Sequence, residues 1–250
     1  LQLVQGINID GALSMSVLGT RGEERKRVIA LFIVTFFVIF FWTAFEQAGS
    51  SMNLFADRYT DRGIGAFSIP ASWFQSVNAF FIILCAPIVA WIWRVLAAKN
   101  REPSTTLKMV LGLLLVGLGF VFMVLGARGA DACAAQVGAE AAREQCHVAS
   151  PLWLIAAYLM HSLGELSVSP VGLSYVTKIA PARLVSMLMG VFFLSNAVAN
   201  YLGGILAAQT ESIPKQSTFF SIPVVTSWGA ALLMLALVPY LKRLTRSVQL

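Results

Sequence analysis

The run VIALFIVTFFVIFFWTAFEQAGSSMNLF, Val28 to Phe55, is almost unbroken in its apolar character and contains a single carboxylate, Glu46. At ~1.5 Å rise per residue, a helix of this length crosses a bilayer core of ~30 Å with room to tilt. An acidic side chain at mid-helix costs ~2.5 kcal/mol or more on insertion scales, so it is retained for a reason. What Glu46 faces is therefore the first question this sequence poses.

The rest of the chain repeats the pattern. Of its 250 residues, 58% are hydrophobic and only 12% charged, with a mean hydropathy of +0.76, whereas a soluble domain carries roughly a quarter charged residues. The reading is an all-α polytopic membrane protein. Further apolar segments fall at about 71–97, 106–126, 151–177, 183–208 and 218–241, which with 28–55 predicts six transmembrane helices. Residues 1–27, interrupted by Gly6, Gly11 and Gly19 and ending in a charged cluster, read as a linker on the cytoplasmic side, and 28–250 as the helical bundle. Nothing at Leu1 resembles a signal peptide, and the sequence reads as a fragment of a longer chain.

Six spans alternate sides, which sorts the basic residues. One side receives Arg21, Arg25, Lys26, Arg27, Arg94, Lys99, Arg101, Lys108, Lys178, Arg183, Lys242, Arg243 and Arg246, thirteen in all; the other receives Arg58, Arg62, Arg128, Arg143 and Lys215, which is five. The positive-inside rule makes the richer side cytoplasmic, with both ends of the chain there, in a cytoplasmic (inner) membrane. The net charge of +6 thus reflects orientation, and the absence of an aromatic-interleaved basic patch argues against nucleic acid. Cys133 and Cys146 fall on the outer side, as a disulfide or as two free thiols, while Cys85 lies in an apolar run. No cysteine pair has metal-ligand spacing, and no metal or cofactor is expected.

Within the spans only Glu46 and Glu165 are acidic, and no Lys or Arg lies deep. Two intramembrane carboxylates without an internal cation need partners elsewhere or must titrate. Trp42 precedes Glu46 by one helical turn, placing both on one face. His161, Glu165 and Ser169 recur at every fourth residue in YLMHSLGELSVSPVGLSYVTK, a polar stripe that belongs against a cavity or another helix, with Pro170 next to it. Gln75 and Asn78 share a face of the second span, and Phe192, Asn196 and Asn200 share one of the fifth. Amides suit either a zwitterionic ligand or interhelical contact, His161 either a proton relay or a structural role, and Trp42 and Phe192 either packing or a pocket wall. Gly112, Gly117, Gly119, Gly203 and Gly204 are expected to permit close helix approach. They lie within spans, and no Walker-type run follows a strand, which rules out a phosphate loop; no intramembrane hydrolytic constellation is present, and an enzyme is not expected.

The runs FWTAFEQAGSSMNLFADR, IPASWFQSVNAFFIILCAPIVAWIW, GELSVSPVGLSYVTKIAP and LMGVFFLSNAVANYLGG, in that order, resemble the seventh, eighth, tenth and eleventh helices of the proton-dependent oligopeptide transporters. The resemblance covers roughly Arg27 to Leu241. It implies the C-terminal six-helix half of a twelve-helix major facilitator fold, built from inverted three-helix units, with di- and tripeptides bound between this half and the N-terminal one and taken up with protons. By position, Glu46 is similar to the seventh-helix protonation site, Trp42 to an aromatic wall residue, and Asn78 to an eighth-helix amide that contacts peptide. Glu165 is similar to the carboxylate that receives the peptide amino terminus, with Ser169 beside it. Phe192 stands where many members have Trp, a departure bearing on the shape of that pocket. The first-helix proton-coupling motif of the family is not in the sequence, and the cation for the peptide carboxylate is expected from the N-terminal half.

Two other functions stay open from the residues alone: a carrier in the same fold for another small solute such as an amino acid, nitrate or drug, and a non-transporting membrane receptor in which the two Glu residues hold helices together.

Overall fold

The structure, a computed structural model, describes the backbone of residues 9–246 and side chains from Arg21 onward, Ala139 excepted. Its elements run α1 (Ile9–Phe45), a 3-10 turn at Glu46–Ala48, α2 (Ser51–Tyr59), the strands β1 (Gly63–Ile64) and β2 (Phe67–Ser68), α3 (Trp73–Ala98), α4 (Thr105–Val137), α5 (Ala139–Gln145), α6 (Pro151–Ile179), a 3-10 turn at Ala182–Leu184, α7 (Val185–Ala208) and α8 (Gln216–Leu244). The expected linker, 1–27, lies partly outside the described residues; from Ile9 its backbone belongs to α1 and continues into the first apolar run without a break at Gly11, Gly19 or Gly22.

Among the described residues, five helical stretches are long and apolar enough to cross a membrane: Arg21–Tyr59, Trp73–Ala98, Thr105–Val137, Ala182–Ala208 and Gln216–Leu244. The expected span at 151–177 forms the long helix α6 but does not join the five. His161, Ser162, Glu165, Ser167 and Ser169 dilute its apolar character, the same residues that make it chemically interesting.

α4 is the centre. It packs against α6 on one side and α8 on the other, α1 packs on α7 and α8, and α3 leans on α6. In a bilayer the hydrophobic effect does not draw helices together, so close van der Waals contact over small residues must. α4 supplies these on the α6 face at seven-residue spacing: a Cβ on Gly112 would lie 2.3 Å from Val168 Cγ2, one on Gly119 2.4 Å from His161 Cδ2, and one on Gly126 2.8 Å from Trp153 Cβ. On its α8 face a Cβ at Gly117 would lie 2.3 Å from Trp228 Cδ1. Gly203 is in ordinary contact with α1, whereas Gly204 faces open space and has no part in helix approach. Phe41, Leu113, Phe120, Met123, Phe219 and Phe220 fill the resulting core.

The first apolar run departs from expectation. Instead of one helix through Phe55, the α-helix ends at Phe45 and Glu46 opens a 3-10 turn. No proline forces this. The freed carbonyls are taken by side chains: Gln47 Nε2 donates to Thr43 O at 3.2 Å, Ser50 Oγ to Glu46 O at 3.2 Å, and Tyr158 Oη of α6 to Ala48 O at 3.1 Å. An interrupted helix within a membrane needs such replacement donors and acceptors.

The segment 127–150, expected as a polar loop, is mostly helical. α4 continues to Val137, and Cys133 on it is bonded to Cys146 just after α5. Asp131 of α4 accepts from the amide nitrogens of Gln216 at 2.7 Å and Ser217 at 3.0 Å, and from the Ser217 hydroxyl, so it caps the start of α8. Ala149 then pairs with the end of α2, its nitrogen donating to Tyr59 O and its carbonyl accepting from Asp61 N, each at 2.9 Å. Between α2 and α3, β1 and β2 form a two-residue hairpin in which Gly65 takes φ +60°, a conformation that other residues resist.

Candidate functional site

The glycine-lined contact with α4 fixes the rotation of α6, and with it which way each polar residue looks. His161 is buried against α4 and α1, its ring centroid 4.8 Å from that of Phe120 and 6.1 Å from that of Phe45. Ser162, one residue on, turns toward α3. There its hydroxyl reaches Asn78 Oδ1 at 2.8 Å and, sharing its one proton, Tyr158 O at 2.8 Å. Asn78 Nδ2 in turn donates to Glu165 Oε2 at 3.3 Å. Because Ser162 engages the amide oxygen, the amide nitrogen is left to face the carboxylate. Among the described residues, Glu165 Oε1 accepts no hydrogen bond.

Glu46 approaches from α1. Its position is set by Gln47, whose side chain is fully buried: Nε2 donates to Gly203 O of α7 at 3.0 Å and Oε1 accepts from Ser51 Oγ at 2.8 Å. Thr43 Oγ1 adds a bond to Ala199 O at 3.4 Å. These bonds fasten the end of α1 to α7 and bring Glu46 to the Asn200 side-chain amide, while Glu46 and Glu165 lie near enough for their charges to act on each other. Both carboxylates are half-buried, and among the described residues neither forms an ion pair. Chemically, two half-buried acids without an ion-pair partner can accept positive charge, a proton or an ammonium group.

The other expected residues are more dispersed. Trp42 is half-buried, its ring edge-on to Phe41 and Phe45 at 5.5 and 5.1 Å. Ser169 is half-buried and its hydroxyl has no partner, so it stands outside the Ser162–Asn78–Glu165 network. Phe192 is 4% exposed and packs on Gly172, where an added Cβ would sit 2.9 Å from Phe192 Cζ; it is a packing element of the α6–α7 contact. Asn200 Nδ2 donates to Asn196 O one turn back at 2.9 Å, and Gln75 is exposed. Among the described residues no group of His, Cys, Asp and Glu is arranged to hold a metal.

Comparison with known proteins bears on this arrangement. The POT family model matches residues 3–226, most of the chain. The chain belongs to the POT family. It is similar to a peptide transporter of Yersinia enterocolitica (39% identity over 232 residues, 91% of this chain and 43% of the relative). Dipeptide and tripeptide permease B of Shigella dysenteriae is another relative (31% over 230 residues, 88% and 45%). Among solved structures, the crystal structure of a peptide transporter POT in complex with sulfate aligns with a TM-score of 0.75 at 32% identity, covering 89% of this chain and 42% of that one. The chain therefore spans less than half the length of these proteins.

Three residues of the arrangement escaped the sequence reading: Gln47, Tyr158 and Ser162. Gln47 adjoins the expected Glu46, and Ser162 lies three residues before Glu165, within reach on the same helical face. A stripe drawn at i, i+4 selected His161 and Ser169 and passed over the i, i+3 neighbour.

Proposed function

We propose that this chain is the C-terminal half of a proton-coupled symporter of di- and tripeptides in the cytoplasmic membrane. In this reading residues 28–250 form a six-span major facilitator bundle, with α6 as the sixth span despite its polar stripe, and 1–27 connect to the N-terminal half. Both chain ends lie on the cytoplasmic side in this reading, which the thirteen-to-five partition of basic residues supports. The observation that carries the proposal is the Ser162–Asn78–Glu165 network on the α3–α6 face: a carboxylate held by an amide, with one oxygen open and no cation beside it.

Glu165 receives the peptide ammonium, and Asn78 donates to the peptide or to Glu165. Ser169 and Trp42 border the site, and Phe192 shapes it from behind by fixing α7 against α6. Glu46, at the break in α1 and within electrostatic reach of Glu165, carries the proton. The peptide carboxylate finds its cation on the N-terminal half, because charged groups drawn from water at both peptide ends need opposite charges. Membership in the family and the named relatives support this substrate class over an amino acid, nitrate or drug.

The deciding experiment is uptake of labelled dialanine by the whole transporter in proteoliposomes, with and without an inward proton gradient, alongside Glu165→Gln. Gradient-accelerated uptake that the variant loses is the expected result. Dialanine that neither enters nor competes with other solutes sinks the peptide assignment, and gradient-independent uptake sinks the coupling.

A further inference from the structure

A polar cavity lies away from the carboxylates, at the end of the bundle where α4 begins and α8 finishes. It has a volume of about 640 Å³ and is lined in part by Arg101, Ser104, Tyr175, Lys242 and Arg246. Three of these are cations. The acidic residue on its lining, Glu102, is occupied by Lys108 at 2.5 Å. The first turn of α4, Thr105, Thr106 and Leu107, also borders the cavity. A helix leaves its first amides without internal acceptors, and its dipole favours negative charge there.

Among the described residues, two polar groups on this cavity lack partners. Ser104 occupies the N-cap position of the 33-residue α4 yet makes no capping bond, and its hydroxyl is unpaired. Tyr175 of α6 is 2% exposed, and its buried hydroxyl has no hydrogen-bond partner. A buried phenol without a partner is destabilising in a protein interior. Both are satisfied at once by a ligand rich in acceptors, and three cations around a helix N-terminus specify its charge.

We propose that this cavity binds a phosphate-type oxyanion, held by Arg101, Lys242 and Arg246 with the first turn of α4 and completed by the hydroxyls of Ser104 and Tyr175. Two sources carry that chemistry: the headgroup of an anionic phospholipid, or free phosphate. On the orientation proposed above, the cavity opens at the cytoplasmic leaflet, where anionic lipids and basic pockets between helices meet. Occupation would tie the ends of α4, α6 and α8 together on the side opposite the disulfide. Binding does not depend on peptide recognition, so the failure of this proposal and that of the symport reading are separable.

The test reads thermal stability of the whole transporter in two arms: detergent with increasing inorganic phosphate, and nanodiscs of phosphatidylcholine with increasing phosphatidylglycerol. A saturable rise in melting temperature in the phosphate arm assigns a soluble anion; a rise with phosphatidylglycerol alone assigns a lipid headgroup. In the responding arm, Lys242→Gln with Arg246→Gln shifts the midpoint by about twenty-five-fold, at about five-fold per cation. Arg143→Gln with Lys215→Gln, an equal loss of charge on exposed residues at the opposite end, leaves it in place. Tyr175→Phe, which removes an unpaired buried hydroxyl, raises the unliganded melting temperature and weakens the response several-fold, and it carries the test with Arg101→Gln if the double variant fails to fold. No response in either arm overturns the site. So does an equal loss in the control pair, or an unchanged response in Tyr175→Phe, since either reduces the effect to diffuse surface charge.

Discussion

α4 and α3 are both long apolar helices, yet they are used in opposite ways. α4 is enclosed, with glycines at 112, 119 and 126 letting α6 approach and Gly117 admitting Trp228. α3 has just Phe74 and Cys85 buried, while Ile83, Phe80 and Trp91 stand exposed at 78, 61 and 58%. It touches α6 through a side-chain amide instead of through glycine. The α4 contact is dry and shape-determined, and so specifies the fold. The α3 contact is polar and leaves most of the helix exposed.

The sharpest break of this comparison is Gly112→Leu. A Cβ there already falls 2.3 Å from Val168 Cγ2 and 3.0 Å from the Gly164 carbonyl. Backbone cannot yield as a side-chain tip can, so overpacking is expected to destabilise by about 3 kcal/mol or more. Denaturation in mixed micelles measures it, and a variant that unfolds at the wild-type midpoint would mean that α4 and α6 are not held by close approach.

Gln47→Leu comes next. It removes the donor that reaches Gly203 O and Thr43 O and the acceptor for Ser51, leaving the buried Ser51 hydroxyl without that partner. The expected loss is about 2 kcal/mol, accompanied by lower uptake, because Glu46 is positioned by the same turn. Full stability with full uptake would show that the break in α1 holds itself.

That break also marks where the sequence stopped being readable. Length and hydropathy were enough for five of the expected segments, which form helices long and apolar enough to cross a membrane, while the polar stripe keeps α6 out of that set. Glu46 and Glu165 stood out because charge is rare there. The end of α1 at Phe45 is only partly local: Gln47 and Ser50 donate to carbonyls one turn back, but the bond from Tyr158 to Ala48 O comes from 110 residues away. The pairing of Cys133 with Cys146 was open for a similar reason, since it depends on α4 extending past the apolar segment and α5 folding back. Phe192 was legible as an aromatic on the face of Asn196, but its burial against Gly172 depends on a helix contact that no periodicity reveals.

Ser162→Ala sharpens the comparison from the α3 side. Interhelical hydrogen bonds in membrane proteins average ~0.6 kcal/mol, so a stability loss of about that size is expected. The functional effect is larger in proportion. Without the bond to Oδ1, the Asn78 amide is free to flip and present oxygen to Glu165, which raises KM for dialanine several-fold while kcat changes little. Ser162→Thr, which keeps the hydroxyl, restores KM. A loss of kcat alone, or no rescue by Thr, would assign Ser162 to packing.

The smallest effect is expected at Ile83. It is the most exposed of the large apolar residues of α3, and truncating an exposed side chain changes stability by no more than about 0.5 kcal/mol. In this chain alone, Ile83→Ala should therefore unfold at the wild-type midpoint. In the whole transporter the outcome depends on what covers α3. If lipid covers that face, the variant again matches wild type. If the N-terminal half packs there, the same truncation removes buried contacts and destabilises the assembled protein by about 2 kcal/mol or more. A difference between the two measurements would convert the exposed face of α3 from a lipid surface into the contact between halves, and would place the Asn78 network one helix face away from it.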